Sequence, residues 1–578
     1  MVLSGCIRKS SRLCLSCLLL VLFFLPGSST AALRSVDSLP PEHPVYREIL
    51  VVYDNLVRSF GDGRPPPRLV VTPVGASAGR AVAWSDPGDT VAFGIRHTPS
   101  TLHGGYIALD EKVYHLFASL GNDRDNAIAF LLGHELAHYY LRHGWVGDFG
   151  NTFASLDVGR KALKIASYEE VVKCEAEADY VGGFYGFLSG YDTFGLAPRV
   201  LDTIYAAYRL PDKLPNYPSL TERKTIALRS DGHLKEIVPV FDAANRLLIL
   251  EKYEAAARLF EYLSQVFPSR EMFNNAGVAY ALEALSLPSL EEDRFAYPFE
   301  FDPETRLRQA AALRKTRGGW ISKSSLRNRE RLLHAAKKLF TRSFGRDEVY
   351  TVALVNLAAT ESLLGEREAA TFHAAQALRL AKRTGDSFGE AGALVVRGIL
   401  RAEEIRVNDA HTDFSSALAL KNTVAETNIR ALSGRASPVV ALPYRRTAGV
   451  SEETIGGVGV GAVAGKAVNV VTFTLNGLET GQDPITVRSY RKNGLDAVQV
   501  SVQGKFIRML GASGEYEGQS SRGIRIGSRG DDVRKVYGEP SRVVPVRRGS
   551  CLRYSSSKIN FCLNGEGRVE GWFLYTME

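Results

Sequence analysis

The chain has 578 residues, 45% of them hydrophobic and 23% charged, with 71 lysines and arginines against 63 aspartates and glutamates. This is the composition of ordinary globular protein, and the length suggests three or four domains. A net charge of +8 without a clustered basic face argues against nucleic-acid binding, and no stretch beyond the N-terminus is long and apolar enough to cross a bilayer.

In chain order, Arg8, Lys9 and Arg12 precede an uncharged apolar run from Leu13 to Leu25, followed by small residues suited to cleavage after Ala31 or Ala32. That run is short for a membrane span, so residues 1–32 read as a signal peptide, cleaved or retained as an anchor. Its removal takes three of the 71 basic residues and no acidic one, leaving +5.

Residues 90–94 and 104–109 read as strands ahead of the next helix. An apolar-periodic run from Asp125 to Gly133, with Asn122 and Asp123 ahead of it and Gly144 behind, then predicts a helix carrying His134-Glu135-Leu136-Ala137-His138. Positions i and i+4 share a helix face, so His134 and His138 can bind one Zn²⁺ per chain while Glu135 stands beside it as general base. A second helix around residues 168–180 places Glu175 and Asp179 on one face and Glu177 on roughly the opposite one. Glu175 can complete the ligand set, and Asp179 can accept the N–H of a ligand histidine. Cys174 neighbours Glu175 and is a conceivable soft metal ligand, but one position off that face it reads rather as a buried small hydrophobe.

Leu132 to His138, Glu175 to Asp179, Gly190-Tyr191-Asp192 and Tyr217-Pro218-Ser219-Leu220-Thr221-Glu222-Arg223 together resemble the gluzincin zinc metallopeptidases of the HtpX and prenyl-protein endopeptidase type. The periplasmic, BepA-like branch with tetratricopeptide repeats is the nearest resemblance. It implies an α+β zincin catalytic domain over residues 33–232, with Glu175 rather than Glu177 as third ligand and Asp179 behind it. Relatives often carry a histidine plug before the proline of the last motif. Here Tyr217 takes that place, either donating to a developing oxyanion or packing, with Arg223 a further candidate for oxyanion or substrate contact.

Residues 235–435 read as an α-solenoid of tetratricopeptide-like repeats. Tyr253, Ala256, Phe260 and Pro268 hold the spacing of a second repeat helix; Ala336 and Phe340 recur as Ala370 and Ala374; Ala410, Phe414 and Ala417 repeat it again. Residues 285–325 interrupt the period with prolines and charges and read as an irregular insertion. Residues 436–470 read as a glycine-rich linker, without the Lys-Ser/Thr ending of a phosphate-binding loop. Residues 471–578 read as a small β-rich module, with Gly523 to Pro540 similar to envelope-protein modules of the BamE type. Cys551 and Cys562 face each other in the simplest hairpin register and are a candidate disulfide in an oxidising compartment.

The expected function is zinc-dependent endopeptidase of the bacterial envelope, acting on misfolded or stalled proteins in the periplasm, with the repeats presenting substrates or docking on outer-membrane assembly machinery. The alternative is a chaperone or scaffold whose repeats bind partners and whose proteolysis is slight.

Overall fold

The computed structural model describes residues 38–60, 66–74, 83–86, 106–141, 143, 168–213, 218–287, 294–301, 310–311, 323–434, 453–460, 469–473, 484–492, 494–502, 504–514, 516–546 and 549–577. The signal peptide, the 90–94 strand, Gly144 and Tyr217 lie outside them. The chain is multidomain and helix-rich, with 15 α-helices among the described residues and an eight-stranded antiparallel sheet at its C-terminal end.

The first unit sets helices against a small sheet of β1 (Arg68–Thr72), β2 (Ala83–Asp86) and β3 (Tyr106–Asp110), ordered β1-β3-β2. β3 is central, parallel to β1 and antiparallel to β2. Between two partners it offers no edge; among the described strands β2 holds the edge beside the motif helix. The helices are α1 (Pro44–Ser59), α2 (Glu111–Ala118), α3 (Arg124–Leu141), α4 (Tyr168–Leu188), α5 (Ala197–Tyr208) and α6 (Leu220–Ile249). In α3, every residue from Ala127 to His134 is buried, so the helix is enclosed on all sides and its polar groups need partners.

α6 begins at a capping box, in which Ser219 and Glu222 satisfy each other's free backbone N–H groups, and continues through Pro239 for 30 residues. It runs unbroken across residues 232–235, where the sequence suggested a boundary, and passes through both Gly232 and Pro239 to end at Ile249.

Beyond it, α7 (Tyr253–Val266), α8 (Arg270–Ser286), α9 (Lys323–Arg346), α10 (Thr351–Leu363), α11 (Arg367–Thr384), α12 (Ser387–Glu403), α13 (Val407–Ala419) and α14 (Thr423–Leu432) each pack on the next. Glycines permit the closest approaches: a Cβ on Gly277 or Gly398 would lie 2.7 or 2.6 Å from the ring of Phe340 or Phe414 on the following helix. Between α8 and α9 a short strand β4 (Pro298–Phe299) pairs with β5 (Ala310–Ala311).

Inside the stretch read as linker, β6 (Thr454–Ile455) and β7 (Val458–Gly459) form a hairpin whose turn, Gly456-Gly457, has positive φ at both positions. Ile455 is buried and bridges to Ser520, so this segment is part of the C-terminal module. That module is built on β8 (Asn469–Phe473), β9 (Ile485–Lys492), β10 (Leu495–Val502), β11 (Lys505–Ser513), β12 (Arg542–Val546), β13 (Gly549–Tyr554), β14 (Ile559–Leu563) and β15 (Val569–Met577), with one helix, α15 (Gly530–Tyr537). The sheet runs β12-β13-β14-β15-β11-β10-β9-β8, and Cys551 and Cys562, opposite each other on β13 and β14, are joined. Arg246 of α6 pairs with Asp496, and Arg553 meets Glu251 at 3.1 Å, which anchors the module to the helical core. Among the described residues no helix is long and apolar enough to cross a membrane.

Candidate metal centre

The site forms where α3 and α4 touch backbone to backbone. A Cβ on Gly182 would lie 2.6 Å from Gly133 C and O and 2.8 Å from His134 N, so only glycine permits this crossing. One turn before Gly182 stands Asp179, and two turns before it stands Glu175; with Ala178 they form an i, i+3, i+4, i+7 stripe against α3. Glu177 lies off that stripe and is half-buried.

The stripe brings His134, His138 and Glu175 together, each offering one ligand atom within 4.8 Å of the others. His134 Nε2 and His138 Nε2 are 2.9 Å apart, and the Glu175 carboxylate oxygens lie 3.4 and 3.5 Å from them. These residues could hold a metal ion; Cys174 is not among them. Two imidazole nitrogens and a carboxylate suit a divalent zinc ion, with a coordination position left open. Glu135, the next residue after His134, is half-buried.

A second layer holds the ligands in place. His134 Nδ1 lies 2.8 Å from Asp179 Oδ1, leaving Nε2 turned to the ligand cluster. Arg223, 3% exposed, donates to Asp179 Oδ2 at 2.7 Å and Oδ1 at 3.2 Å, and its Nε lies 3.3 Å from Glu175. The residue read above as an oxyanion or substrate contact therefore stands behind the triad, because two buried carboxylates require a cation there.

His143 was not anticipated. The chain folds back beyond α3, with His143 N–H donating to the His138 carbonyl at 3.1 Å, and places its Nδ1 3.0 Å from His138 Nδ1. The other nitrogen of His143 lies 3.5 Å from Glu177. A histidine just past the last helical turn, followed by Gly144, is the signal that could have found it.

Electrostatics follow the geometry. Burial lowers the His134 pKa, but the Asp179 and Glu175 carboxylates outweigh it and the pKa is raised. Burial, with His134 and His143 nearby, lowers His138 to about 3. Burial raises Glu175 and Asp179, yet His134 and Arg223 overcome it and both are held low. Two carboxylates are thus balanced by Arg223 and a proton on His134. A divalent cation suits the place of that proton.

The His-His-Glu cluster is compatible with a zincin-like H-E-x-x-H site. No protein-family model and no curated protein matches the chain.

Proposed function

We propose that the chain is a zinc-dependent endopeptidase acting on unfolded or misfolded proteins of the envelope. The observation that carries this reading is the convergence of His134, His138 and Glu175, drawn from two helices, on one buried point beside Glu135. His134, His138 and Glu175 would hold the zinc, which would supply Lewis-acid activation of water and of a peptide carbonyl. Glu135 takes the water's proton and returns it to the departing amine. Asp179 fixes the His134 tautomer, Arg223 neutralises the carboxylates behind the ligands, and His143 orients His138.

Glu135→Gln tests this. The variant is expected to keep about one zinc per chain and its fold while losing roughly 10²–10⁴-fold in cleavage of an unfolded protein, the range for general acid–base catalysis. Cleavage at the wild-type rate by purified Glu135→Gln overturns the reading. The scaffold reading has its own support in a helical array that already holds an extended segment, Arg294–Phe301. Full rescue by Glu135→Gln in a strain lacking the chain decides for it.

A further inference from the structure

Arg294–Phe301 crosses the helical array as an extended strap, and every residue from Phe295 to Phe301 is buried. Its backbone is held by asparagine side chains. Asn428 of α14 accepts from Ala296 N–H at 2.8 Å and donates to the Ala296 carbonyl at 2.9 Å. Asn356 of α10 does the same for Glu300, at 2.9 and 2.7 Å, and Asn274 of α8 adds a bond to the Glu300 carbonyl at 3.0 Å. Each pair of bonds recognises the main chain of one residue without reference to its side chain.

These asparagines occupy one repeating position. Asn274, Asn356 and Asn428 stand three residues before Gly277, Ala359 and Ala431, the small residues on alternate helices. At the matching position of α12, three before Gly398, the chain has Val395. The strap presents Pro298 midway between Ala296 and Glu300, and β4 packs on both α10 and α12. The helix lacking a polar reader meets the stretch containing the residue without an N–H. Side chains add apolar anchoring: Phe299 stacks on Phe340 at 6.4 Å, Phe295 lies 6.2 Å from Phe414, and Tyr297 bonds Ser362 at 3.0 Å.

We propose that this face of the helical array is a polypeptide-binding groove that reads the main chain of an extended segment with aromatic residues at alternate positions, and that Arg294–Phe301 is its built-in competitor. The repeated asparagines supply register and the aromatic pockets supply affinity. The partner is an unfolded segment of another protein with the strap's own chemistry. The groove does not depend on the metal centre, so Glu135→Gln leaves it intact.

The test uses the full chain and a fluorescein-labelled peptide, Arg-Phe-Ala-Tyr-Pro-Phe-Glu-Phe, followed by anisotropy. A Tyr297→Ser, Phe299→Ser variant is expected to bind it at least tenfold more tightly than wild type. Methylating the peptide nitrogens at its alanine and glutamate is expected to weaken binding at least tenfold. Absence of binding to the folded variant, or equal binding of the methylated peptide, overturns the proposal. Should the variant fail to fold, hydrogen exchange of wild type decides: saturating peptide accelerates exchange at Ala296 and Glu300 if it competes for the groove, and unchanged exchange overturns it.

Discussion

At the candidate metal centre, α3, α4 and α6 bring ionised groups into a buried interior, where Glu175, Asp179, Arg223 and His134 neutralise one another. In the helical array, α8, α10 and α14 bring neutral amides to the strap, and the bonds these amides make to its backbone are between uncharged groups. Removing one member of the first set leaves a buried charge, whereas removing one amide leaves an unpaired dipole. The first arrangement holds its geometry rigidly, and the second allows an occupant to be exchanged.

The largest expected effect breaks the charge balance. Arg223→Met leaves Asp179 and Glu175 facing each other's field without their shared cation, and should cost about 3–5 kcal/mol in denaturant unfolding, with loss of bound zinc. Asn356→Ala, which strips the Glu300 backbone of two side-chain hydrogen bonds, should cost about 1–3 kcal/mol and leave zinc content unchanged. Equal costs for the two variants would remove the distinction between the regions.

How much of this was legible in the sequence depends on whether partners share a helix. His134 with His138, and Glu175 with Asp179, are four apart and could be read from helical phase alone. Arg223 was visible as part of a motif, yet its role depends on α6 meeting α4, which no local spacing reports. Gly133 and Gly182 touch across 49 positions, so neither glycine announces its partner. The strap looked irregular because the alternation of Phe295, Tyr297, Phe299 and Phe301 is interrupted by Pro298 and flanked by charges, and its asparagine partners lie on helices up to 132 residues away. The helices beyond α6 were legible because small and aromatic residues return where they cross: Ala336, Phe340, Ala370, Ala374, Ala410 and Phe414 are all buried.

The α3–α4 crossing gives a smaller but more local perturbation. A methyl group at Gly182 meets backbone atoms that cannot rotate away, so Gly182→Ala should force the helices apart at a cost of about 1–3 kcal/mol and weaken zinc retention by moving Glu175 from the histidines. Gly232→Ala is the control. It lies in the interior of α6 with nothing within 4 Å of a new Cβ, and should stabilise by about 0.4–1 kcal/mol. Zinc content that stays at the wild-type level in Gly182→Ala would show that the crossing does not set the ligand geometry.

The smallest effect compares two helix caps of the same kind. Ser219 Oγ accepts the Glu222 N–H at 3.3 Å at the start of α6, and Asn422 Oδ1 accepts the Val424 N–H at 3.0 Å at the start of α14. Replacing either by alanine should cost about 1 kcal/mol, since each leaves one helix donor without its acceptor. Their consequences should differ. Arg223 sits in the first turn of α6, so fraying after Ser219→Ala loosens the guanidinium that holds Asp179 and Glu175, and zinc loss to a chelator should quicken. Asn422→Ala should lower stability by a similar amount with no change in zinc loss, while exposing the Ala296 amide to hydrogen exchange through the neighbouring Asn428. If both caps change zinc loss alike, the effect travels through global stability, and Arg223 is not held in place by the start of its helix.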